Sequence, residues 1–276
     1  MRLGSSKEKL LGGEGGGAKR LLKDKDLFMF DLDGVFYKGK ESRIKIGGSD
    51  AVRAIHSRGK RAYILTNNST DTAKTVWSRL VEFDIPVKED EILTSGLLAA
   101  EYLRERYGGV TYYLVGERGL EEEMEACGHR RTTREKCDVV VVGLDRRVTY
   151  DKLDHAARLV RNGAKLVATH MSRVYAYRSG PAMATGPLVK AIEYASSTKA
   201  IAVGKPSPLM FEVALKKAGC VKSRAVMVGD QLDTDIEGAI AAGIDPILVT
   251  SGVDRDPAGR RVLATLANVD DIVPLL

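Results

Sequence analysis

Two aspartates, Asp31 and Asp33, stand two residues apart directly after the apolar run Leu27–Phe30. Three more such runs end in groups able to handle a charged oxyanion. Ala62–Leu65 leads into Thr66, Asn67, Asn68 and Ser69, Ile201–Gly204 leads into Lys205 and Pro206, and Ala225–Gly229 leads into Asp230, with Asp233 and Asp235 following. Aspartates gathered in one site cannot all stay ionised at neutral pH unless a cation joins them, because like charges raise one another's pKa. Oxygen donors with few protein partners suit Mg²⁺. A lysine beside such a group favours an anion that also binds the metal, and phosphate meets both demands. In that setting either Asp31 or Asp33 can be the carboxylate nucleophile toward phosphorus, with the other as general acid and base. A lone Asp-x-Asp-Gly says little, since aspartates after strands commonly form turns. Four polar strand ends together say much more. Asp233 reads differently, as a cap for the helix that begins near Thr234.

These groups meet only if parallel strands carry them, because the carboxyl ends of an open parallel sheet share one edge. The apolar runs are short and bounded by Gly or polar residues, as strands buried on both faces are. Helical patterns lie between them at Asp50–Arg58, Thr72–Phe83 and Pro208–Ala218. The last is opened by Ser207 as N-cap with Pro208 at the first helical position and closed by Gly219. The pattern predicts an α/β protein with a Rossmann-like parallel sheet and right-handed crossovers. A middle block has its own strands, Tyr112–Val115, Val139–Val142 and Leu166–Ala168, and a helix after Thr149 that aligns Leu153, Ala156, Ala157 and Val160. Residues 97–200 are therefore expected to form an inserted α/β cap domain between core segments 26–96 and 201–276. Residues 1–25, where glycines mix with alternating charges, read as a flexible leader. Its Gly13–Ala18 stretch satisfies GxGxxA, but no strand precedes it, so a dinucleotide site is not expected.

Composition narrows the partners. The 276 residues are 44% apolar and 29% charged, the profile of a globular chain. A net charge of +6 and a pI near 9.1 would suit nucleic acid only if the basic residues clustered with aromatics. They are scattered, aromatics make up 6%, and half of the net charge lies in residues 1–26. Apolar stretches such as Val139–Val142 fall far short of the roughly 20 residues of a membrane span. The N-terminus shows no apolar signal region, so a cytoplasmic location is the expectation. The three cysteines lack CxxC spacing, which argues against a zinc site and a disulfide framework.

The segments Phe30–Val35, Thr66–Ser69, Gly204–Pro208 and Gly229–Asp235 resemble, in order and in spacing, the four motifs of the haloacid dehalogenase (HAD) superfamily of phosphatases. The resemblance runs from about Asp26 to Leu276. It is narrowest for the NagD and p-nitrophenylphosphatase-like branch, whose members carry a C2-type α/β cap between the second and third motifs. By that resemblance Asp31 forms an aspartyl-phosphate, while Asp33 protonates the leaving oxygen and then activates water. Thr66, Asn67 and Asn68 would hold the phosphoryl oxygens, and Lys205 would balance charge on nucleophile and phosphate. The implied Mg²⁺ set is Asp31, the backbone carbonyl of Asp33, and Asp230, with Asp235 as a supporting acid. His170 lies where relatives often read Thr-Asn-x-Asp, on the cap edge that faces the site, and is a candidate substrate contact peculiar to this chain. The implied activity is Mg²⁺-dependent hydrolysis of small phosphomonoesters, of the p-nitrophenyl phosphate, phosphoglycolate, glycerol phosphate or sugar phosphate kind. The partner is then a small phosphorylated metabolite, with no nucleic acid and no membrane, and a homodimer through the cap stays open. Two other classes fit less well. A silent phosphometabolite-binding regulator would be expected to lose a motif residue, and none is lost. A phosphotransferase or mutase would share the intermediate, but mutases of the superfamily resemble one another in a smaller helical cap placed elsewhere.

Overall fold

The computed structural model describes residues 15–39, 44–177 and 180–276. The chain runs through α1 (Gly15–Lys23), β1 (Leu27–Phe30), the antiparallel pair β2 (Tyr37–Lys38) and β3 (Ile44–Lys45), α2 (Ser49–Ser57), β4 (Arg61–Thr66), α3 (Ala73–Glu82), β5 (Ile92–Thr94) and α4 (Ser95–Tyr107). It continues as β6 (Thr111–Val115), α5 (Arg118–Ala126), β7 (Arg130–Arg131), β8 (Val139–Val142), α6 (Tyr150–Arg161) and β9 (Lys165–Ala168). The antiparallel pair β10 (Val174–Tyr177) and β11 (Gly180–Met183), then α7 (Thr185–Ser196) and β12 (Ile201–Ala202), follow. Then come α8 (Pro208–Ala218), β13 (Ala225–Gly229), α9 (Glu237–Ala242), β14 (Asp245–Val249) and β15 (Ala264–Leu266), and a 3₁₀ segment at Val269–Leu275 closes the chain.

Local chemistry accounts for the element ends. Thr72, Thr94 and Thr149 each accept a hydrogen bond from a backbone N–H in the first turn of α3, α4 and α6. Ser207 does the same for α8, Pro208 opens that helix, and Gly219 at φ 53 ends it in the left-handed conformation that glycine adopts at no steric cost.

The first sheet has six strands in the order β15-β14-β13-β1-β4-β5, all parallel. From β1 the chain moves outward through β4 to β5, and from β13 it moves outward the other way through β14 to β15. The order therefore reverses between β1 and β13, where a crevice opens at the carboxyl ends. Residues alternate across this sheet as period-2 geometry requires. Leu27 and Met29 pack with α4, α8 and α9, whereas Phe28 and Phe30 pack with α2 and α3.

The second sheet, in the order β12-β9-β8-β6-β7, is also parallel. Val140 and Val142 face α6 and α7, while Val139 and Val141 join the apolar cluster that holds Leu27, Met29 and Leu65 of the first sheet. One apolar core thus runs continuously between the two sheets.

Two expectations need correction. The run at Ile201 does form a strand, but β12 pairs with β9, Ile201 opposite Val167, and so belongs to the second sheet rather than the first. Two residues, one of them 38% exposed, carry no pattern that could assign them to either sheet. The leader reading covers residues 1–14, which lie outside the described residues, and residues 15–25, which do not behave as a loose segment. Leu22 of α1 is fully buried, and Lys25 is 4% exposed and donates to Asp245 Oδ2 at 2.7 Å and to the Ser223 carbonyl at 2.8 Å.

The helix α5 docks on the loop between β4 and α3. Gly119 lies so close that any side chain there would overlap the Thr70 carbonyl. The Glu123 carboxylate, 7% exposed, accepts from the Ala73 N–H at 2.6 Å at the start of α3, where the helix dipole favours negative charge. Burial pushes this carboxyl's pKa up, against the pull of that N–H. Glu123→Ala strands a buried donor and is expected to cost about 1–3 kcal/mol in urea unfolding; an unchanged midpoint would show that water replaces the bond.

Candidate active site

The four sequence segments converge at the crevice. Phe30 pairs with Val228 and with Ile64, so β1 sits between β13 and β4 and presents Asp31 at the centre of the edge. The Asp31 N–H donates to the Val228 carbonyl at 2.9 Å, which ties the residue to the strand that delivers Asp230. Lys205 arrives by another route. It lies on the segment that leaves β12 of the second sheet and enters α8, after Gly204 whose N–H donates to the Thr169 carbonyl at 2.7 Å.

Lys205 is 1% exposed, and its three ammonium hydrogens have three acceptors. Asp31 Oδ1 lies at 2.6 Å, Asp235 Oδ1 at 2.7 Å and the Leu65 carbonyl at 2.7 Å. Burial opposes the charge, but Asp235 and Asp31 outweigh it and hold the lysine's pKa above its ordinary value. Asp31, Asp230 and Asp235 are all buried, and one carboxylate oxygen of each lies within 4.8 Å of the others. One ammonium faces three carboxylates. Asp31 is accordingly pushed up to about 7, by burial first and then by Asp235 and Asp33, against the pull of Lys205. Asp230 is pushed up to about 9 by burial and by the charges of Asp31 and Asp235.

These residues fit a divalent cation. Asp230 Oδ2 is held by the Val253 N–H at 2.8 Å, whereas its Oδ1 is buried without a hydrogen-bond partner among the described residues. Gly34 and Gly252 press against this carboxylate so closely that a side chain at either would overlap Oδ2. Excess negative charge, an unmatched acceptor and a close-walled cradle are what a hard cation with oxygen ligands requires.

The sequence-based residues divide into groups. Asp31 and Asp230 are in the cluster as expected, and Asp235, read as a supporting acid, stands beside them. The Asp33 carboxylate is outside that group of three, because β1 ends at Phe30 and the alternation that would align Asp33 with Asp31 ends with it. Asp33 instead sits half-buried in a turn, bridged to Tyr37, with the Gly34 N–H donating to the Tyr37 carbonyl at 2.8 Å. Asp233 is exposed and pairs with Arg260 at 3.2 Å; its side chain caps no helix.

In the second loop, Thr66 is 2% exposed and its hydroxyl oxygen accepts from the Asn68 N–H at 3.1 Å, which leaves its own hydrogen to donate. Asn67 Nδ2 donates to the Lys205 carbonyl at 2.9 Å and so joins this loop to the lysine's segment. The Asn68 amide is committed to the loop itself. Its oxygen accepts from the N–H groups of Thr70 at 2.8 Å and Asp71 at 3.0 Å, and its nitrogen donates to Asp71 Oδ2 at 3.0 Å. That is an Asx turn, so Asn68 shapes the loop more than it reaches outward.

His170 also differs from its expected part. Nδ1 accepts from the Ser172 N–H at 3.3 Å, which assigns the proton to Nε2, and Nε2 bonds the Thr185 hydroxyl at 2.9 Å. Burial, helped by the charge of Lys205, pushes its pKa down to about 4, so the ring is neutral at pH 7. With both nitrogens engaged, His170 holds the turn after β9 rather than offering a free ring nitrogen to a substrate.

Sequence reasoning also missed the loop after β14. Ser251 Oγ donates to the Gly34 carbonyl at 2.7 Å, the Asp254 N–H donates to the Asp230 carbonyl at 3.0 Å, and Asp254 Oδ2 accepts from the Leu232 N–H at 2.7 Å. The only signal was Thr250-Ser251-Gly252 at a fifth strand end.

Comparison with known proteins agrees with this geometry. The family model for haloacid dehalogenase-like hydrolases matches residues 28–130, and the HAD-hydrolase-like model matches residues 202–274. An acid sugar phosphatase of Staphylococcus epidermidis is 34% identical over 232 residues, covering 84% of this chain and 89% of its own. The 5'-nucleotidase YutF of Bacillus subtilis is 32% identical over 83% of this chain and 88% of its own. Among solved structures, a 4-nitrophenylphosphatase from Thermotoga maritima superimposes with a TM-score of 0.84 at 32% identity, over 92% of this chain and 98% of that one. A p-nitrophenyl phosphatase from Archaeoglobus fulgidus gives 0.85 at 28% identity, over 92% of this chain and all of its own. Matched over both halves of the sequence and most of the fold, with the acidic crevice where β1 and β13 part, the chain belongs to the haloacid dehalogenase-like hydrolases.

Proposed function

We propose that this protein is a Mg²⁺-dependent phosphatase that hydrolyses small phosphomonoesters through an aspartyl-phosphate on Asp31. The observation that carries the reading is the environment of Asp31: a buried carboxylate gripped by Lys205 at 2.6 Å and sharing its site with Asp230 and Asp235. The names of the relatives, which include sugar phosphatase, nucleotidase and nitrophenylphosphatase, support a phosphate monoester as substrate.

A bound Mg²⁺, held by Asp31, Asp230 and the backbone carbonyl of Asp33, with Asp235 beside them, would neutralise carboxylate and phosphoryl charge so that one anion can approach another. The chain's own groups do the rest. Lys205 fixes one oxygen of Asp31, and the other attacks phosphorus as the bond to the ester oxygen breaks. Asp33 gives its proton to the departing alkoxide, so the alcohol leaves neutral. The Thr66 hydroxyl donates to a phosphoryl oxygen. Asp33, now ionised, takes a proton from water as the water oxygen bonds phosphorus and the Asp31–phosphorus bond breaks. Phosphate leaves and both aspartates return to their starting states. The second sheet, whose strand β8 runs into Leu144 with its N–H donating to Ser69 Oγ at 3.0 Å in the loop after β4, would limit water and shape the space for the leaving group.

Hydrolysis of p-nitrophenyl phosphate with Mg²⁺, lost on adding a chelator and restored by excess Mg²⁺, is the expected result. A chain that bound phosphorylated metabolites but turned over none of a broad panel in Mg²⁺ would be a sensor, and the proposal would fail.

A further inference from the structure

The site depends on two separate loops keeping their distance: the one after β1, with Asp31 and Asp33, and the one after β4, with Thr66, Asn67 and Asn68. A single side chain from neither loop links Tyr37 of β2, which is bridged to the first loop, with Asp71 of the second. Arg79, on α3, has a side chain only 16% exposed. Its Nη1 donates to the Tyr37 hydroxyl at 3.3 Å, and Nη1 and Nη2 both donate to Asp71 Oδ2 at 3.3 Å. The guanidinium also lies 5.9 Å from the centroid of the Tyr37 ring, within cation–π range.

Each partner leads back to a loop. Tyr37, 1% exposed, is bridged through its backbone to Asp33 and accepts from the Gly34 N–H. Asp71 Oδ2 also accepts from the Asn68 amide, and the Asn68 N–H donates to the Thr66 hydroxyl. A chain of named bonds therefore runs from the Asp33 turn through Tyr37, Arg79, Asp71 and Asn68 to Thr66.

We propose that Arg79 is a positioning residue that sets the spacing between the acid–base turn at Asp33 and the phosphoryl-binding loop at Thr66. The proposal rests on the phosphatase reading above. Arg79 does not touch the reacting atoms. Its planar fork reaches two acceptors on different segments at once, Tyr37 of β2 and Asp71 of the loop after β4, which a lysine's compact ammonium on a flexible stem does not reproduce. Misplacing reacting groups by about 1 Å costs on the order of 100-fold in rate, so a loosened span is felt in kcat more than in binding.

With p-nitrophenyl phosphate and saturating Mg²⁺, Arg79→Lys is expected to lower kcat about 10-fold and Arg79→Met about 100-fold, with KM within about twofold of the native value. Asp71→Asn, which leaves the guanidinium in place, should fall between native and Arg79→Met. The double variant Asp71→Asn, Arg79→Met should be no slower than Arg79→Met alone, because one span is broken in both. Thermal melts run beside the assays give the folded fraction at the assay temperature. The inference is overturned if both Arg79 variants keep kcat within twofold, if the loss lies in KM instead, or if kcat falls only as far as the folded fraction does. Native turnover abolished by Asp31→Asn, together with unaffected Arg79 variants, would leave the phosphatase reading standing and remove this one. An inactive native chain would remove both.

Discussion

Asp31→Asn will abolish turnover, by about four orders of magnitude or more, in a protein that remains folded. An amide oxygen does not displace an alkoxide from phosphorus, and among the described residues no other carboxylate stands at the end of β1 in its place. Asp230 and Asp235 are each held elsewhere, by the Val253 N–H and by Lys205. The fold should tolerate the change because the amide is isosteric and neutral. Native Asp31 already resists ionisation, with its pKa pushed up to about 7 by burial and by its acidic neighbours. Asparagine stays neutral beside Asp230 and Asp235, and Lys205 keeps Asp235 and the Leu65 carbonyl. Steady-state hydrolysis of p-nitrophenyl phosphate and a thermal melt check both halves. Native-level activity in the variant would end the nucleophile assignment.

Lys205→Met should be the most damaging substitution for stability and a strongly damaging one for rate. Removing one partner of a buried ion pair costs about 3–5 kcal/mol, because the remaining charges stay buried without compensation. Here two carboxylates and a backbone carbonyl lose their donor at once. The expected fall in kcat is about 100- to 1000-fold, from the lost charge balance at the phosphoryl group.

The pH dependence of that deficit has a definite sign. Asp31 and Asp230 have folded pKa values above the ordinary aspartate range, at about 7 and about 9. Between the unfolded aspartate pKa of about 3.9 and those values, the folded state binds more protons than the unfolded one, so stability falls as pH rises. Without Lys205 the folded values climb further and the fall is steeper. Lys205 itself stays protonated in both states throughout this window, since its folded pKa is raised from a value already near 10.5. In chelator, the deficit of Lys205→Met relative to native should therefore be larger at pH 8 than at pH 5, and added Mg²⁺ should reduce it at pH 8. Equal deficits at both pH values would show that the carboxylates do not carry the charge assigned to them.

What could be read without coordinates was local. The apolar runs at Leu27–Phe30 and Ala225–Gly229 became β1 and β13, and Ser207, Pro208 and Gly219 marked both ends of α8, because strands, caps and turns are decided by neighbours in sequence. The polar groups at those strand ends followed directly, since a parallel sheet gathers its carboxyl ends at one edge. Ile92–Thr94 and Ala264–Leu266, three residues each, form the two edge strands and gave too short a signal to be recognised.

The choice among polar residues was made by contacts between distant parts of the chain. Lys205 meets Asp31 across 174 positions, and it does so on a segment that returns from the second sheet rather than at the end of a strand in the first. Asp235 enters the carboxylate cluster while Asp233, two residues earlier, turns out toward Arg260. Asn68 closes its own loop, and His170 closes the turn after β9, although both have side chains suited to a substrate. Residue type and spacing alone determined that this protein would gather carboxylates, a lysine and a hydroxyl at one sheet edge. Which oxygens crowd into one buried cluster, and which are used up in holding loops, was decided only by the tertiary structure. Hydrogen bonds and charge pairs act over about 3 Å, and residues far apart in sequence come that close only through the packing of the whole fold.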